Sequence, residues 1–223
     1  MPKQKTTPIC SIVVPAYNEA AVIGDTLKAI TEPAVPGEFD LIVVCNGCHD
    51  HTAAVAREAA PDARIIELAV ASKSMALNTG IRAAEGKPIV FLDADIKTDA
   101  VAIRSLVHRL NWSDAFMAYG TAIFNTKECS WAVRAFYEAW QQNTYFDKRK
   151  MGGFFAVSPQ GLQTLGYFPN TLNDDEFVRR QLMANSVWAE KAPYIVEAPR
   201  TLKNLIKVRS RVYRGNTILE ADH

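Results

Sequence analysis

Four short apolar runs, each followed by a stretch with helical spacing, occupy the first half of the chain and leave few folds open to it. Ile9 to Val14, Phe39 to Cys45, Arg64 to Leu68 and Pro88 to Leu92 read as strands. Between the first two, Ile23, Leu27 and Ile30 share one helical face, and the turn-rich stretch from Glu32 to Glu38 ends that helix. Asp50 opens a second helix running to about Ala60. Ser74 to Glu85 carries Leu77, Ile81 and Ala84 on one stripe, with Gly86 as its stop. Asn18 and Thr98 are the expected caps of the first and fourth helices, and Pro15 is expected to break the first strand. Strands alternating with helices pair in parallel, so the expected class is α/β, a Rossmann-like, mostly parallel sheet sandwiched by helices.

The second half reads differently. Ala115 to Phe124 is a strand candidate, and Lys127 to Lys148 a long helix with Trp131, Phe136, Tyr137, Trp140 and Tyr145. Gly152 and Gly153 open a strand-like run from Phe154 to Val157, and a helical turn follows Pro159. The acidic stretch Leu172-Asn173-Asp174-Asp175-Glu176-Phe177 comes next, and the tail carries Arg200, Lys203, Lys207, Arg209, Arg211 and Arg214. No repeat or linker marks a boundary, so residues 1–223 are expected to form one domain.

A formal net charge of +1 gives no global reason to expect nucleic acid. No apolar h-region follows Lys3 and Lys5, and no apolar stretch is long enough for a membrane span. The absence of a signal, with free cysteines, points to the reducing cytoplasm. Cys45 and Cys48 form a C-x-x-C beside His49 and His51, but no second pair completes a zinc set; small-residue packing is the plainer reading. The final residues Leu219 to His223 suit a complete short protein or a piece of a longer one.

Asp93 and Asp95 follow the strand Pro88 to Leu92 with only Ala94 between them. Two carboxylates one residue apart at a strand end face roughly the same side. Held about 6 Å apart, they repel by roughly 3 kcal/mol at an effective dielectric near 20. A hard divalent cation removes that cost, and a diphosphate can complete its coordination. Helix capping or plain solvation are the alternatives. Open α/β sheets gather ligands beyond the carboxyl ends of their strands. There Pro15-Ala16-Tyr17-Asn18-Glu19 and Asn46-Gly47-Cys48-His49-Asp50 join the aspartates. No G-x-G-x-x-G and no G-x-x-x-x-G-K-S/T is present, which argues against a Rossmann dehydrogenase and a P-loop enzyme.

The ordered set of these two loops, Ser72-Lys73-Ser74-Met75-Ala76-Leu77-Asn78, Asp93-Ala94-Asp95, Gly152-Gly153-Phe154-Phe155 and Asn173 to Phe177 resembles the family 2 glycosyltransferases over roughly residues 9 to 215. The resemblance implies a GT-A fold, a nucleoside-diphosphate sugar donor, Mn²⁺ or Mg²⁺, and inversion at the anomeric carbon. It implies a nucleotide-binding half at 9–110, an acceptor half at 111–199 and a basic tail at 200–223. Pro15, Tyr17 and Glu19 would line the nucleotide pocket, with Lys73 nearby. Asn46 stands where the family usually has aspartate, which puts the usual uridine preference in doubt. Asp95 would ligate the metal, and Asp93 would face the ribose or a metal-bound water. Asp174 matches the catalytic base, with Asp175 as the second candidate. Gly152, Gly153 and Trp140 would border the acceptor, whether glycan, lipid-linked or small.

Where processive relatives carry Gln-x-x-Arg-Trp, this chain has Val208-Arg209-Ser210-Arg211-Val212, keeping only Arg211, so a non-processive enzyme is expected. Arg209 and Arg211 could reach donor phosphates or an anionic acceptor. Equally, the tail could rest on an anionic inner membrane face or be a solvated helix face. A sugar-phosphate nucleotidyltransferase and a degenerate nucleotide-sugar-binding module are the rival readings. The first lacks its usual glycine-rich basic loop, and Asn46 and Asn173 favour the second.

Overall fold

The computed structural model describes residues 7–142, 151–170 and 173–221. Tyr145, the expected helix end at Lys148 and Leu172 lie outside them. Cys10–Ala16 (β1), Ile23–Thr31 (α1), Phe39–Asn46 (β2), Thr52–Ala59 (α2), Arg64–Leu68 (β3), Lys73–Ala83 (α3), Ile89–Leu92 (β4) and Ala100–Ser113 (α4) are the four β-α units. Met117–Asn125 (β5), Trp131–Gln141 (α5), Phe154–Val157 (β6), Pro159–Leu165 (α6) and Asp174–Leu182 (α7) follow. A 3-10 turn at Met183–Asn185, then Ser186–Glu197 (β7) and Leu202–Ala221 (α8), complete the order. The strands form one seven-stranded sheet in the order β3-β2-β1-β4-β6-β5-β7. Only β6 runs against its neighbours; β1 to β4 pair in parallel, as do β5 and β7.

The unbroken apolar runs exist because the central strands are buried on both faces. On β1, Cys10, Ile12 and Val14 enter the larger core cluster and Val13 enters the other. β2 splits the same way, with Leu41, Val43 and Cys45 on one side and Ile42 and Val44 on the other. Helices α1, α2 and α4 cover the first face through residues such as Leu27, Ala56 and Leu106. The second is covered by α3, α6 and α7 through Leu77, Leu165 and Leu182. Each fully buried aliphatic side chain of this kind contributes about 1.5–3 kcal/mol. A third cluster, with Cys129, Val133, Tyr137 and Leu205, joins α5 to α8.

Several local expectations shift. β1 continues through Pro15 to Ala16, opposite Val44 and Cys45, because pairing with β4 has already ended at Val13 and no ladder bond needs the missing N–H. Asn18 does not cap α1: it adopts a left-handed conformation (φ 54°), and its Oδ1 accepts from the His49 N–H. Thr98 does not cap α4 either; its hydroxyl donates to the Pro193 carbonyl, while Asp99 accepts from Ala102 N at 2.8 Å. Ser72 caps α3 by accepting from Met75 N, so the helix begins at Lys73, one residue before the expected Ser74, and Ala84 is already extended (ψ 141°). α5 begins at Trp131 rather than Lys127. β7, read as no element from the sequence, joins β5 with a register jump between Tyr119–Trp188 and Thr121–Pro193. Gly120 permits that jump, since a Cβ there would lie 2.5 Å from the Ala192 carbonyl oxygen.

Candidate active site

Alternation along β4 sends Ile89 and Phe91 to the α3 and α7 face, and Val90 and Leu92 to the other. Carried one residue further, it turns Asp93 toward α3 and α7. The turn is held on both sides. Asp93 N–H donates to the Gly153 carbonyl (2.8 Å), Ile96 N–H donates to the Asp93 carbonyl (3.1 Å), and Thr26 of α1 donates to the Ala94 carbonyl (2.9 Å). A Cβ on Gly153 would lie 2.2 Å from Asp93 Oδ2, so only glycine lets this carboxylate sit against β6.

The loop after β1 is tied to the loop after β2. Glu19 N–H donates to Thr52 Oγ1 (2.8 Å), Ala20 N–H to Asp50 Oδ2 (3.1 Å), and Asn18 N–H reaches Cys48 Sγ at 3.5 Å. Buried Asn46 donates its amide to the Ala16 carbonyl at 2.9 Å. An ionised aspartate has no N–H with which to make that bond. Cys45 is packed in the core, and burial foremost pushes its thiol up to about 12.

A cavity of about 540 Å³ opens between these loops and is lined by Pro15, Tyr17, Glu19, Asn46, Lys73, Asp93, Asp95, Asp174 and Arg211 among others. Apart from Arg209, every residue expected to touch donor or metal therefore faces one space, together with the base candidate Asp174. Lys73 Nζ lies 2.7 Å from Asp93 Oδ1 and 3.0 Å from Asp174 Oδ2. Burial first, then Asp174 and Asp95, raises the Asp93 carboxyl pKa against the opposing pull of Lys73. Glu19 is pushed up to about 6, by burial and then by Asp95, Asp93 and Asp50. Burial would lower the Lys73 pKa, but Asp93, Asp174 and Asp175 outweigh it and hold the ammonium charged.

Other expected residues lie elsewhere. Asp175 is not in the cavity lining; its charge bears on Lys73 and on the buried phenol of Tyr194. Glu176 is taken by Arg179 and Arg180, whose guanidinium groups overcome its burial and hold its carboxyl low. Gly152 packs under the Tyr194 hydroxyl, where a Cβ would sit at 2.8 Å. Trp140 stacks on Phe136, and Arg209 of α8 lies 4.8 Å above the Trp140 ring, so both belong to the α5–α8 junction. Sequence reasoning missed Ser72, Ser74 and Asn170 as lining residues. The turn residues Pro169 and Asn170 just ahead of the acidic stretch were the available signal. Asn78 fixes that loop by clasping the Phe168 backbone, donating to its carbonyl and accepting from its N–H, both at 2.9 Å.

A divalent cation fits this chemistry. Asp95 is exposed in the cavity, whereas Asp93 has one oxygen on Lys73 and the other against Gly153. Among the described residues, no group of three or more His, Cys, Asp or Glu could hold a metal alone. A hard cation at Asp95 would therefore draw further oxygens from a bound diphosphate.

The model of glycosyl transferase family 2 matches residues 11–160. Glycosyltransferase AglE of Haloferax volcanii is 34% identical over 95 residues, 40% of this chain and 31% of its own length. The chain spans about a third or less of the first curated relatives it matches. The mannosyltransferase PcManGT from Pyrobaculum calidifontis, solved with GDP-Man and Mn²⁺, has a TM-score of 0.70 at 22% identity, covering 94% of this chain and 62% of that one. Glucosyl-3-phosphoglycerate synthase from Mycobacterium tuberculosis, solved with Mn²⁺, UDP and glucosyl-3-phosphoglycerate, has a TM-score of 0.68 at 19% identity, covering 96% and 79%. At these identities the likeness establishes the fold, the GT-A architecture. Among the described residues no helix is long and apolar enough to cross a membrane.

Proposed function

The chain belongs to glycosyl transferase family 2, and from that premise we propose that it is a non-processive, metal-dependent, inverting enzyme moving one sugar from a nucleoside diphosphate to an acceptor hydroxyl. The charge balance of the cavity carries this reading. Its lining sets Glu19, Asp93, Asp95 and Asp174 against Lys73 and Arg211, four carboxylates and two cations. A diphosphate brings further negative charge into that space, so its entry calls for a doubly charged partner. When bound, the cation supplies stabilisation of the charge that develops on the departing diphosphate.

The chain's own residues divide the remaining work. Pro15, Tyr17 and Asn46 hold the nucleoside, and Glu19 takes the ribose or base edge. Lys73, Arg211 and the N-terminus of α3 receive the phosphates. Asp95 is the metal ligand, and Asp93 positions Lys73 and the ribose side. Asp174, at the first turn of α7, takes the proton of the acceptor hydroxyl from the side opposite the leaving group, which produces inversion. Gly152 and Gly153 support Asp93 and Tyr194 from behind. Exposed Lys203, Lys207 and Arg214 continue the basic face of α8 on either side of Arg211, which suits work at an anionic membrane face.

Acceptor-free hydrolysis of UDP-, GDP- and dTDP-sugars, with and without Mn²⁺, tests this function. Slow Mn²⁺-dependent release of the nucleoside diphosphate is expected. Tight binding with no release marks a degenerate binding module instead, and pyrophosphate released from a nucleoside triphosphate and a sugar phosphate marks a nucleotidyltransferase.

A further inference from the structure

Lys73 stands where a lysine is electrostatically disfavoured. It is the first residue of α3, at the positive end of that helix. Two carboxylates from other elements hold it there, Asp93 beyond β4 at 2.7 Å and Asp174 at the start of α7 at 3.0 Å. One ammonium thus joins the donor side of the cavity to the base candidate. The Asp174 side chain is 13% exposed, and the oxygen it turns to Lys73 is one of the two on which it could accept a proton. The start of α3 does not depend on this pair, because Ser72 caps it through Met75 N. A lysine stem has the length and freedom to move its ammonium by a few ångströms while the backbone stays in place. Lys73 and Asp174 both line the cavity that an incoming diphosphate would enter.

Resting on the donor reading above, we infer that Lys73 is a latch on Asp174, closed in the free protein and opened by the diphosphate of the donor. The phosphates offer the ammonium a more highly charged partner, and they shift it only as far as they bind the open arrangement better than the closed one. Asp174 is then released as a base once the donor is seated. The donor therefore binds before the acceptor hydroxyl can be deprotonated. Lys73 is a positioning residue in this role, acting on the acceptor through Asp174.

A double-mutant cycle over Lys73→Met and Asp174→Asn, read as melting temperature in Mn²⁺ with and without saturating UDP or GDP, tests the latch. Without nucleotide, the two substitutions are expected to be non-additive by about 3 °C. With nucleotide bound, the non-additivity is expected to fall below about 1 °C. Any loss of nucleotide affinity from Lys73→Met is common to both arms of the cycle and cancels. Lys73→Gln replaces the methionine variant should that one fail to fold. Additivity in the free protein, or coupling that persists unchanged with nucleotide bound, overturns the latch and leaves the donor reading standing. If none of UDP, GDP and dTDP raises the melting temperature of the unaltered protein, both fall.

Discussion

Asp174 and Asp175 are neighbours in the chain but face different surroundings, and the proposed base is Asp174 for that reason. Asp174 reaches the cavity and Lys73, whereas Asp175 bears on Tyr194 beneath it. Asp174→Asn is expected to bind nucleoside diphosphate at least as tightly as the unaltered protein, by up to several-fold once the hold on Lys73 is gone, and to lower turnover roughly 10²–10⁴-fold, the range of a general base. Calorimetry with steady-state rates checks this, and a dead Asp175→Asn beside an active Asp174→Asn contradicts it. Glu19 gives a pH signature. Its folded pKa, about 6, lies above the ordinary carboxyl value of 4.5, so its contribution to stability is full below about 4.5 and is lost as pH rises through about 6. Glu19→Gln should therefore raise the melting temperature by about 1–2 °C at pH 7.5 and leave it unchanged at pH 4, the gain kept small by solvent screening at this part-exposed site. Asp93 and Asp95 were legible because strand alternation fixes where two carboxylates at a strand end point. The amide bond of Asn46 to Ala16 and the clasp of Asn78 on Phe168 were not, since both depend on partners distant in sequence.

Helix α3 delivers Ser72, Lys73 and Ser74 to the cavity, and Gly80 sets how closely it approaches the sheet. A Cβ at Gly80 would lie 2.2 Å from Val13 Cγ1. Gly80→Ala is expected to cost about 1–3 kcal/mol through overpacking and to weaken nucleotide binding by shifting the start of α3. Denaturant unfolding reads the first effect, and adding Val13→Ala should recover part of it if the clash is the cause. On the far side of the cavity, Arg209 rests over Trp140 and Phe136 while Arg211 of the same helix lines the site. Arg209→Ala should lose about 0.5–1 kcal/mol and weaken nucleotide binding without touching the ligand. The β-α units were readable because β1, β2 and β4 are buried on both faces and so leave unbroken apolar runs, each followed by helical spacing. β7 was not, because its exposed Glu190 and Lys191 and its Pro193 interrupt the pattern, and its pairing depends on Gly120 in a distant strand. The α4 cap falls one residue beyond Thr98, where a part-buried bond to Pro193 takes the hydroxyl that local sequence offered to the helix.

Across the whole molecule, the sheet is continuous from β1–β4 into the second half, because β6 pairs with both β4 and β5. That pairing brings Gly153 against Asp93 and lets α7 present Asp174 to a lysine some hundred positions earlier in the chain. The family resemblance was readable from ordered short motifs, but the encounter of α3, β4 and α7 that joins them is a property of the fold. The net carboxylate excess of the shared cavity is what ties metal, donor and base into one account. Isothermal titration of UDP and GDP into the unaltered protein and into Asp95→Ala, each with and without Mn²⁺, tests it most directly. Mn²⁺-dependent binding of at least one nucleotide is expected in the unaltered protein and is expected to disappear in Asp95→Ala, whereas equal affinity in the two proteins refutes a cation held at Asp95.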